Sequence, residues 1–558
     1  MTVPGILARV GVGLALLLLV ALALFRTVGR PLTTRLLGEA RVHAPEVAPG
    51  EPIHATFGVA GALIPRRERL EGLSGDLIRH YASLPFPDWG EQSKVHAPRV
   101  LFAKLTAGVD VAAVNEYLLA AEPTAPSGSS WELRPVADYD FTEIILAAIL
   151  MEFSDQPQIL WPRTQDHLVD TLLIETGYRI RWTVPGSLGA VQETENHILM
   201  TEVSRYLRNV WLSRNRQTSS RHTRRTDRHA LELTGFFTEL ESAGLYEFNS
   251  QPYGGYTMAA AFVAFSYAPD GELRDAARKL IDRQAFQFAI GSHGLRRVVA
   301  FRRQLGRAER TSLFEDPLSA IASVWAGSQP GPGSVEDIRN QHHAVVAALT
   351  GYRPGEAVME ALRSSGGERL VAIGRGPGSS PEIHSIGPGF HLSAGGAGDA
   401  ASGIAARPTL LLLDDGATDR SGLFRIRGTG RFTGWNNTGV HRRLAVGPQP
   451  AEVPADALPA LSAGPFELFL RSGVGIVVVR MAGFGLIHVV EGEPFSEFER
   501  IVENNDVSTI GSFFVTADGS RYDYQVDAPA GTWVFASPEI EPLVRSYSDW
   551  PRLKIVKF

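Results

Sequence analysis

The spacing of apolar residues changes near residue 370, and this change constrains the fold more than any other feature of the chain. Between residues 66 and 365, apolar residues recur three and four positions apart, which is typical of amphipathic helices. After residue 370, short apolar runs alternate with clusters of Gly, Pro, Asn and Asp, which is typical of strands joined by turns. Helices followed by strands favour an α+β protein with separate helical and sheet domains over a βαβ sheet.

These patterns also predict the domain boundaries. Residues 31–65 are rich in Pro and Gly and are predicted to be a linker. Residues 66–370 contain roughly ten predicted helices, and the most regular of them begins at Glu195 after a candidate N-cap, Thr194. Residues 371–558 are predicted to form a C-terminal antiparallel β-sandwich.

The composition excludes several classes of chemistry. The chain contains no cysteine, which rules out disulfides, thiolate catalysis and zinc held by Cys. Acidic residues number 60 and basic residues 54, so the formal charge of −6 gives no reason to expect a nucleic-acid partner. With 44% hydrophobic residues, the chain can bury a substantial core and is not fully disordered.

An unbroken apolar run, Val10–Phe25, dominates the N-terminal segment 1–30. Residues 6–25 are predicted to be a membrane anchor or a cleaved signal segment, and a buried core helix is a third interpretation. Either of the first two places the rest of the chain outside the cytoplasm, anchored in an inner membrane or secreted. The arginines Arg26 and Arg30 after the run disfavour that orientation for an anchor, because positive charge tends to stay inside.

A first candidate cluster, Glu195-Asn196-His197, opens the most regular predicted helix. The first turn of a helix has a partly positive end, where an anionic group is favoured. A histidine there can act as a general base, and the neighbouring amide can donate to a carboxylate. The alternative is that Glu195 and His197 are ordinary solvated residues at a helix start.

A second candidate cluster, Tyr246–Tyr256, joins two predicted helices. It is rich in tyrosine and also contains Glu247 and Asn249. Aromatic faces stack on sugar rings, and a phenol can donate or accept a proton. The alternative is that its tyrosines belong to the core and that Asn249 caps a turn.

Basic residues and adjacent histidines are weaker signals. Arg296, Arg297, Arg303 and Arg307 can neutralise a polyanion, although a solvated charged face also explains them. A short basic run, 221–229, is interpreted as a solvated loop. Neighbouring histidines such as His342 and His343 point to different faces of a helix, which is a poor arrangement for a metal.

Four short segments together resemble a known group of proteins. They are Glu195–His197, Tyr246–Tyr253, Phe390–Gly396 and Trp435–Val440. In these segments the chain resembles bacterial toroid-plus-sandwich proteins, which are similar to the heparinase II/III-like, alginate and chondroitin polysaccharide lyases. The resemblance implies an (α/α) toroid, as an incomplete barrel, followed by an antiparallel β-sandwich. It also implies β-elimination on an anionic, uronate-containing polysaccharide.

The resemblance assigns four catalytic roles. Asn196 would neutralise the uronate carboxylate, and His197 would remove the proton on C5. Tyr253 would protonate the leaving oxygen or act as both base and acid, with Tyr256 as its substitute. The scheme requires no metal and no cofactor.

The resemblance also implies a set of substrate-binding residues. A second carboxylate neutraliser would be an arginine, for which Arg303 and Arg307 are the candidates. Glu195, Glu247 and Asn249 would line the same groove. The β-sandwich would contribute no catalytic residue.

Two other functions remain open from the sequence. A glycoside hydrolase on the same toroid would need two carboxylates across a cleft, and Glu195 and Glu247 are the obvious pair. A non-catalytic, membrane-anchored glycan-binding protein would keep the groove without turnover. The identity of the glycan and the oligomeric state cannot be deduced from the sequence.

Overall fold

The structure is a computed structural model, and it describes most of the chain from residue 60 onwards. The described residues are 13, 16–21, 60–130, 135–187, 189, 191–216, 220–250, 252–297, 316–327, 341–363, 367–373, 382–395, 407–414, 422–426, 439–526, 532–533, 535–536, 545–546 and 553–557. The predicted membrane or signal segment, residues 6–25, falls largely outside these ranges. Within them, no helix is long and apolar enough to cross a bilayer.

Helices dominate the described part of the chain before residue 364. With one later helix, they are α1 (Arg66–Arg69), α2 (Gly72–Ser83), α3 (His96–Ala107), α4 (Val111–Ala120), α5 (Asp140–Phe153), α6 (Pro162–His167), α7 (Glu195–Asn215), α8 (Ser220–Ala243), α9 (Tyr253–Tyr267), α10 (Gly271–Ile290), α11 (Pro317–Ala326), α12 (Gln341–Thr350), α13 (Glu356–Arg363) and α14 (Pro494–Asn504). A π-helical turn, Leu168–Leu172, continues α6. The N-cap carboxylates of Asp270 and Asp316 accept backbone N–H bonds at the starts of α10 and α11.

The helices of this region share one apolar core. Helix α9 is central to it, because α9 packs against α7, α10 and α12. Every residue of α9 from Gly255 to Phe265 is buried, so this helix is apolar on all sides rather than amphipathic. The first turn of α9 is therefore held rigidly, and this turn carries two of the predicted catalytic residues.

Strands dominate after residue 368. In chain order the strands are β1 (Ala62–Leu63), β2 (Ser292–His293), β3 (Arg296–Arg297), β4 (Tyr352–Arg353), β5 (Arg369–Ile373), β6 (Glu382–Gly387), β7 (Phe390–Gly395), β8 (Arg407–Leu413), β9 (Phe424–Ile426), β10 (Gly439–His441), β11 (Leu444–Gly447), β12 (Ala451–Glu452), β13 (Leu461–Ala463), β14 (Phe466–Arg471), β15 (Val474–Met481), β16 (Phe484–Val489), β17 (Phe513–Val515), β18 (Arg521–Tyr524), β19 (Thr532–Trp533), β20 (Phe535–Ala536), β21 (Arg545–Ser546) and β22 (Lys554–Lys557). The pairings between them are antiparallel.

Two antiparallel sheets make up most of this C-terminal part. One has the order β12-β9-β8-β7-β6-β5-β22, and the other has the order β10-β11-β16-β15-β14-β13. The two sheets share an apolar core that includes Phe390 and Leu392 from the first and Phe469 and Ile476 from the second. An α+β fold with antiparallel sheets is therefore confirmed.

Strand β15 is buried on both of its faces. Ile476 and Val478 point into the core between the two sheets, whereas Val477 and Val479 point into a second core that includes residues of α14. Successive side chains of a strand point to opposite faces, so each face of β15 meets a different apolar layer. Its run of valines follows from this position.

Three local expectations from the sequence are wrong. The basic run 221–229 is helical within α8, and His229 is buried and contacts Glu202 at 3.1 Å. The two arginines of β3 are buried rather than solvated, at 5% and 3% exposure. The helical spacing that begins at residue 66 does not give one continuous helix, because Gly72, at the start of α2, has a positive φ of 55° and separates α1 from α2.

Candidate active site

The cluster Glu195-Asn196-His197 forms the first turn of α7, as the sequence predicts. All three side chains are buried, so the expectation of a solvated helix start does not apply. Glu195 Oε1 accepts the backbone N–H of Glu247 at 2.7 Å, which ties α7 to the tyrosine-rich loop. Asn196 Oδ1 accepts a bond from Thr194 Oγ1 at 2.6 Å, and its buried Nδ2 has no hydrogen-bond partner among the described residues.

His197 is oriented by a buried aspartate from α5. Its Nδ1 lies 2.8 Å from Asp140 Oδ2, and Asp140 Oδ1 accepts the backbone N–H of Gly128 at 3.1 Å. Burial by itself lowers the pKa of His197, but the charge of Asp140 and the hydrogen bond to it outweigh burial and raise that pKa to about 9. His197 is therefore an imidazolium at neutral pH, with Nε2 as its remaining donor.

Aromatic rings connect His197 to the predicted tyrosines. Phe141 lies 5.4 Å from the His197 ring and 4.4 Å from the Tyr256 ring, edge to face in both cases. Tyr256 lies 6.5 Å from Tyr253 between ring centroids. Tyr256 is buried, whereas Tyr253 is half-buried and reaches the surface. Successive ring contacts thus connect three of the four predicted catalytic residues, His197, Tyr256 and Tyr253.

Two histidines of α12 close the other side of Tyr256. The Tyr256 ring stacks on His342 at 5.8 Å and meets His343 edge to face at 4.7 Å. This close approach requires Gly255, because a Cβ at that position would lie 2.4 Å from the His343 ring. Burial lowers the pKa of both histidines, so both are neutral at pH 7.

A buried arginine without a counter-ion lies beside Tyr256. Arg99 is 0% exposed and donates to the carbonyl oxygens of His342 and Val95, at 2.8 and 2.6 Å. Its Nη2 has no hydrogen-bond partner, and it forms no ion pair, among the described residues. Burial lowers the pKa of Arg99 to about 10, and the phenols of Tyr256 and then Tyr81 oppose that decrease.

A second cation, Lys94, lies at the same place. Its ammonium is 5.6 Å from the centre of the Phe141 ring and 3.0 Å from Asp138 Oδ2. Burial raises the pKa of Tyr256, while the charges of Arg99 and Lys94 oppose that increase. A phenolate on Tyr256 would thus have two cations close by.

The remaining predicted site residues do not join this cluster. Glu195 and Glu247 are 0% and 1% exposed and link the backbone of two elements. Asn249 turns towards the first sheet and donates to Glu382 Oε1. The candidate arginines Arg303 and Arg307 lie outside the described residues.

Sequence reasoning missed Arg99 and Asp140, although a signal for each was present. Arg99 is one of two charged residues, with Lys104, in an apolar stretch of α3 where Ala97–Thr106 are all buried. Asp140 opens α5, in which nearly every residue is apolar and buried. A charged residue inside an apolar run needs a partner or a function, and that rule identifies both.

The described residues include no group of three or more His, Cys, Asp or Glu side chains that could hold a metal ion. No protein-family model, no curated protein and no solved structure matches the chain.

Proposed function

We propose that this protein is a polysaccharide lyase that cleaves an anionic, uronate-containing glycan by β-elimination. The observation that carries the proposal is the buried Arg99, which pairs with no carboxylate among the described residues and lies beside Tyr256, near Tyr253 and the imidazolium of His197. Elimination needs a base, here a phenolate stabilised by nearby cations, and it needs cationic or N–H donors that neutralise the substrate carboxylate. This cluster supplies both.

The chemistry assigns each side chain a different part of the reaction. The proton on C5 of a uronate is only weakly acidic until the charge of the adjacent carboxylate is neutralised. His197 as a cation and the unpartnered amide of Asn196 suit that neutralising role. Because its pKa is raised, His197 suits it better than the role of base that the resemblance implies. Tyr256 is the candidate base, because its phenolate would lie beside the cations of Arg99 and Lys94.

Tyr253 is then the proton donor to the leaving oxygen. It lies next to Tyr256 and reaches the surface, where a long polymer can approach it. Tyr253 can also accept the C5 proton itself if Tyr256 serves only to position Tyr253. Both tyrosines are therefore tested below.

The architecture agrees with the proposal at a coarser level. We propose that the helices from α2 to α13 form an incomplete (α/α) toroid and that the two sheets form its β-sandwich. An N-terminal membrane anchor or signal segment at residues 1–30, and a periplasmic or extracellular location, remain part of the proposal.

The hydrolase alternative has less support. An acid and a base on either side of a glycosidic bond must both reach the substrate. The Glu195 carboxylate is already bonded to the backbone N–H of Glu247 itself, at 2.7 Å, so it holds the loop in place.

The test is the product of the reaction. Elimination leaves a double bond conjugated to the carboxylate, which absorbs in the near ultraviolet, whereas hydrolysis leaves no such chromophore. The protein is incubated with alginate, chondroitin, hyaluronan and heparan, and unsaturated product is followed by absorbance. We expect Tyr253→Phe and Tyr256→Phe each to lower turnover by a factor on the order of 10²–10⁴, with polymer binding retained.

Tyr178→Phe is the matched control. Tyr178 is a half-buried tyrosine that contacts Arg225 rather than the candidate site. Its variant should keep full turnover. Absence of unsaturated product from every polymer, with polymer binding retained, would instead favour a glycan-binding protein without turnover.

A further inference from the structure

A cavity lies in the C-terminal part, and neither His197 nor Tyr256 lines it. Its volume is about 250 Å³, and it lies between the β10–β11 turn, the start of α14 and the β17–β18 hairpin. Arg442 and Arg443 form that turn, and Tyr522 contributes an aromatic ring. The proposed reaction uses none of these residues.

Of the three carboxylates that line the cavity, Glu497 and Asp518 have donors of their own, and Glu491 is exposed. Glu497 accepts the backbone N–H groups of Glu491 and Gly492, at 3.3 and 2.6 Å. Asp518 accepts bonds from Thr516 and Ser520, and these bonds lower its pKa. These carboxylates shape the wall, and their remaining lone pairs can still accept from hydroxyl groups.

Arg500 and Arg443 have guanidinium N–H groups that can donate to a ligand. Arg500 lines the cavity, is exposed, and forms no ion pair with any described residue. Arg443 is held in place by Glu368 at 3.0 Å and by the carbonyl oxygen of Val490 at 3.3 Å, which leaves further N–H groups. His488 adds a buried Nδ1 without a hydrogen-bond partner in the described part of the chain.

Backbone strain at the turn is an independent observation. Arg442 has a positive φ of 45°, which is uncommon for a residue with a long side chain. Non-glycine residues in this region concentrate at functional sites, where the surrounding structure holds them. The strained residue and its neighbour are two of the three arginines that line the cavity.

We infer that this cavity binds one acidic sugar residue of a glycan, with its carboxylate on Arg443 and Arg500 and its hydroxyl groups on Glu497 and Asp518. Guanidinium groups bind carboxylates in a fork geometry, and carboxylates such as those of Glu497 and Asp518 can accept from sugar hydroxyl groups. The sugar class rests partly on the proposed function. The site would hold the polymer on the sandwich, outside the catalytic cleft.

The test measures hydrogen–deuterium exchange of the full chain with D-glucuronate, D-glucose, inorganic sulfate or inorganic phosphate. Glucuronate should protect the backbone of the β17–β18 hairpin, and glucose should not. The variant Arg500→Gln should weaken this protection, with an affinity loss on the order of 10- to 100-fold for one charged hydrogen bond. The control, Arg480→Gln, removes an exposed arginine that pairs with Glu467 outside the cavity and should change nothing.

The outcomes separate this site from the proposed reaction. Protection by glucuronate should persist in Tyr253→Phe, even though that variant loses turnover. If the hairpin is not protected, or if Arg500→Gln binds like the parent, the inference is wrong whether or not elimination occurs. If sulfate or phosphate protects the hairpin as well as glucuronate does, the cavity is a simple anion site and the assignment to a sugar fails.

Discussion

At the scale of single residues, the site depends on charges that the fold has separated from water. Asp140 and Arg99 are both 0% exposed, yet they act on different partners. The aspartate raises the pKa of His197, whereas the arginine has no carboxylate partner among the described residues and lies beside a phenol. These two buried charges give His197 and Tyr256 opposite roles.

The pH dependence of turnover tests the role of His197. Because its pKa is raised to about 9, a reaction that needs the imidazolium should decline as the pH rises through about 9. A reaction that needs the neutral base should instead increase over that range. The pH profile of kcat/KM measures this directly, and His197→Gln should remove that part of the profile.

The same raised pKa has a consequence for stability. A group whose pKa is higher in the folded state stabilises the fold below its unfolded pKa of about 6.5, and this stabilisation is lost as the pH rises through about 9. We expect the free energy of unfolding to fall by on the order of 2 kcal/mol over this interval, relative to His197→Gln. Urea denaturation of both proteins at pH 6 and pH 9.5 measures the difference, and equal changes in the two proteins would contradict it.

Gly255 is expected to tolerate no side chain. Its missing Cβ leaves room for the His343 ring at 2.4 Å, so Gly255→Ala should destabilise the fold by roughly 1–3 kcal/mol through overpacking. Gly254 in the same helical turn is the matched control, because a Cβ there would lie 3.9 Å from Pro317 in ordinary contact. Gly254→Ala should be neutral or slightly stabilising. Thermal unfolding of the two variants gives the comparison, and equal melting temperatures would argue against this packing.

At the scale of elements, the sequence predicted where a helix begins better than it predicted which charged residues are buried. The start of α7 at Glu195 was predictable because an extended N-cap precedes a regular apolar period. The burial of β3 was not, because its Arg297 pairs with Glu382, which lies 85 residues away in the chain. A charged residue is expected to be exposed unless it has a buried partner of opposite charge. No local sequence pattern reveals a partner so far away in the chain. The same limit hid Asp140, which lies 57 residues from His197.

The loop before α9 is held by a residue of the first sheet. Asn249 has a positive φ of 51° and donates to Glu382, which connects the tyrosine-rich loop to β6. Asn249→Gly keeps that backbone conformation without strain, whereas Asn249→Ala loses both the bond and the conformation. We expect Asn249→Ala to be less stable than Asn249→Gly by about 1 kcal/mol. Denaturant titration of both variants checks the order, and the reverse order would show that the backbone conformation is unimportant.

At the scale of the whole molecule, a buried polar network joins the helical region to the first sheet. Arg297 bonds to Glu382 at 2.7 Å and to Asp316 at 3.4 Å, and all three side chains are about 3% exposed. Arg296 donates to the carbonyl oxygen of Leu413 at 2.9 Å, which adds a contact to β8. Because Glu382 of this network also accepts a bond from Asn249, the first sheet helps to position the loop before α9.

Replacement of Arg297, the central cation of this network, tests how much the network stabilises the fold. Arg297→Met removes the cation that pairs with the buried carboxylates of Glu382 and Asp316, and we expect a loss of about 3–5 kcal/mol in unfolding free energy. Arg480→Met, which breaks an exposed pair with Glu467, should cost less than about 1 kcal/mol. Chemical denaturation followed by circular dichroism compares them. Similar losses in the two variants would mean that the network contributes little to joining the two parts.

Strand β15 also affects the tendency of the unfolded chain to aggregate. Because both of its faces are buried, its segment from Val474 to Val479 contains only valine, isoleucine and glycine. Short stretches with high β-propensity and no charge self-associate when they are exposed. Arg471 and Arg480 flank the stretch and act as charged breaks against this aggregation. The hairpin partners β14 and β16 follow one another in the chain, so the segment can be covered as soon as its neighbours leave the ribosome.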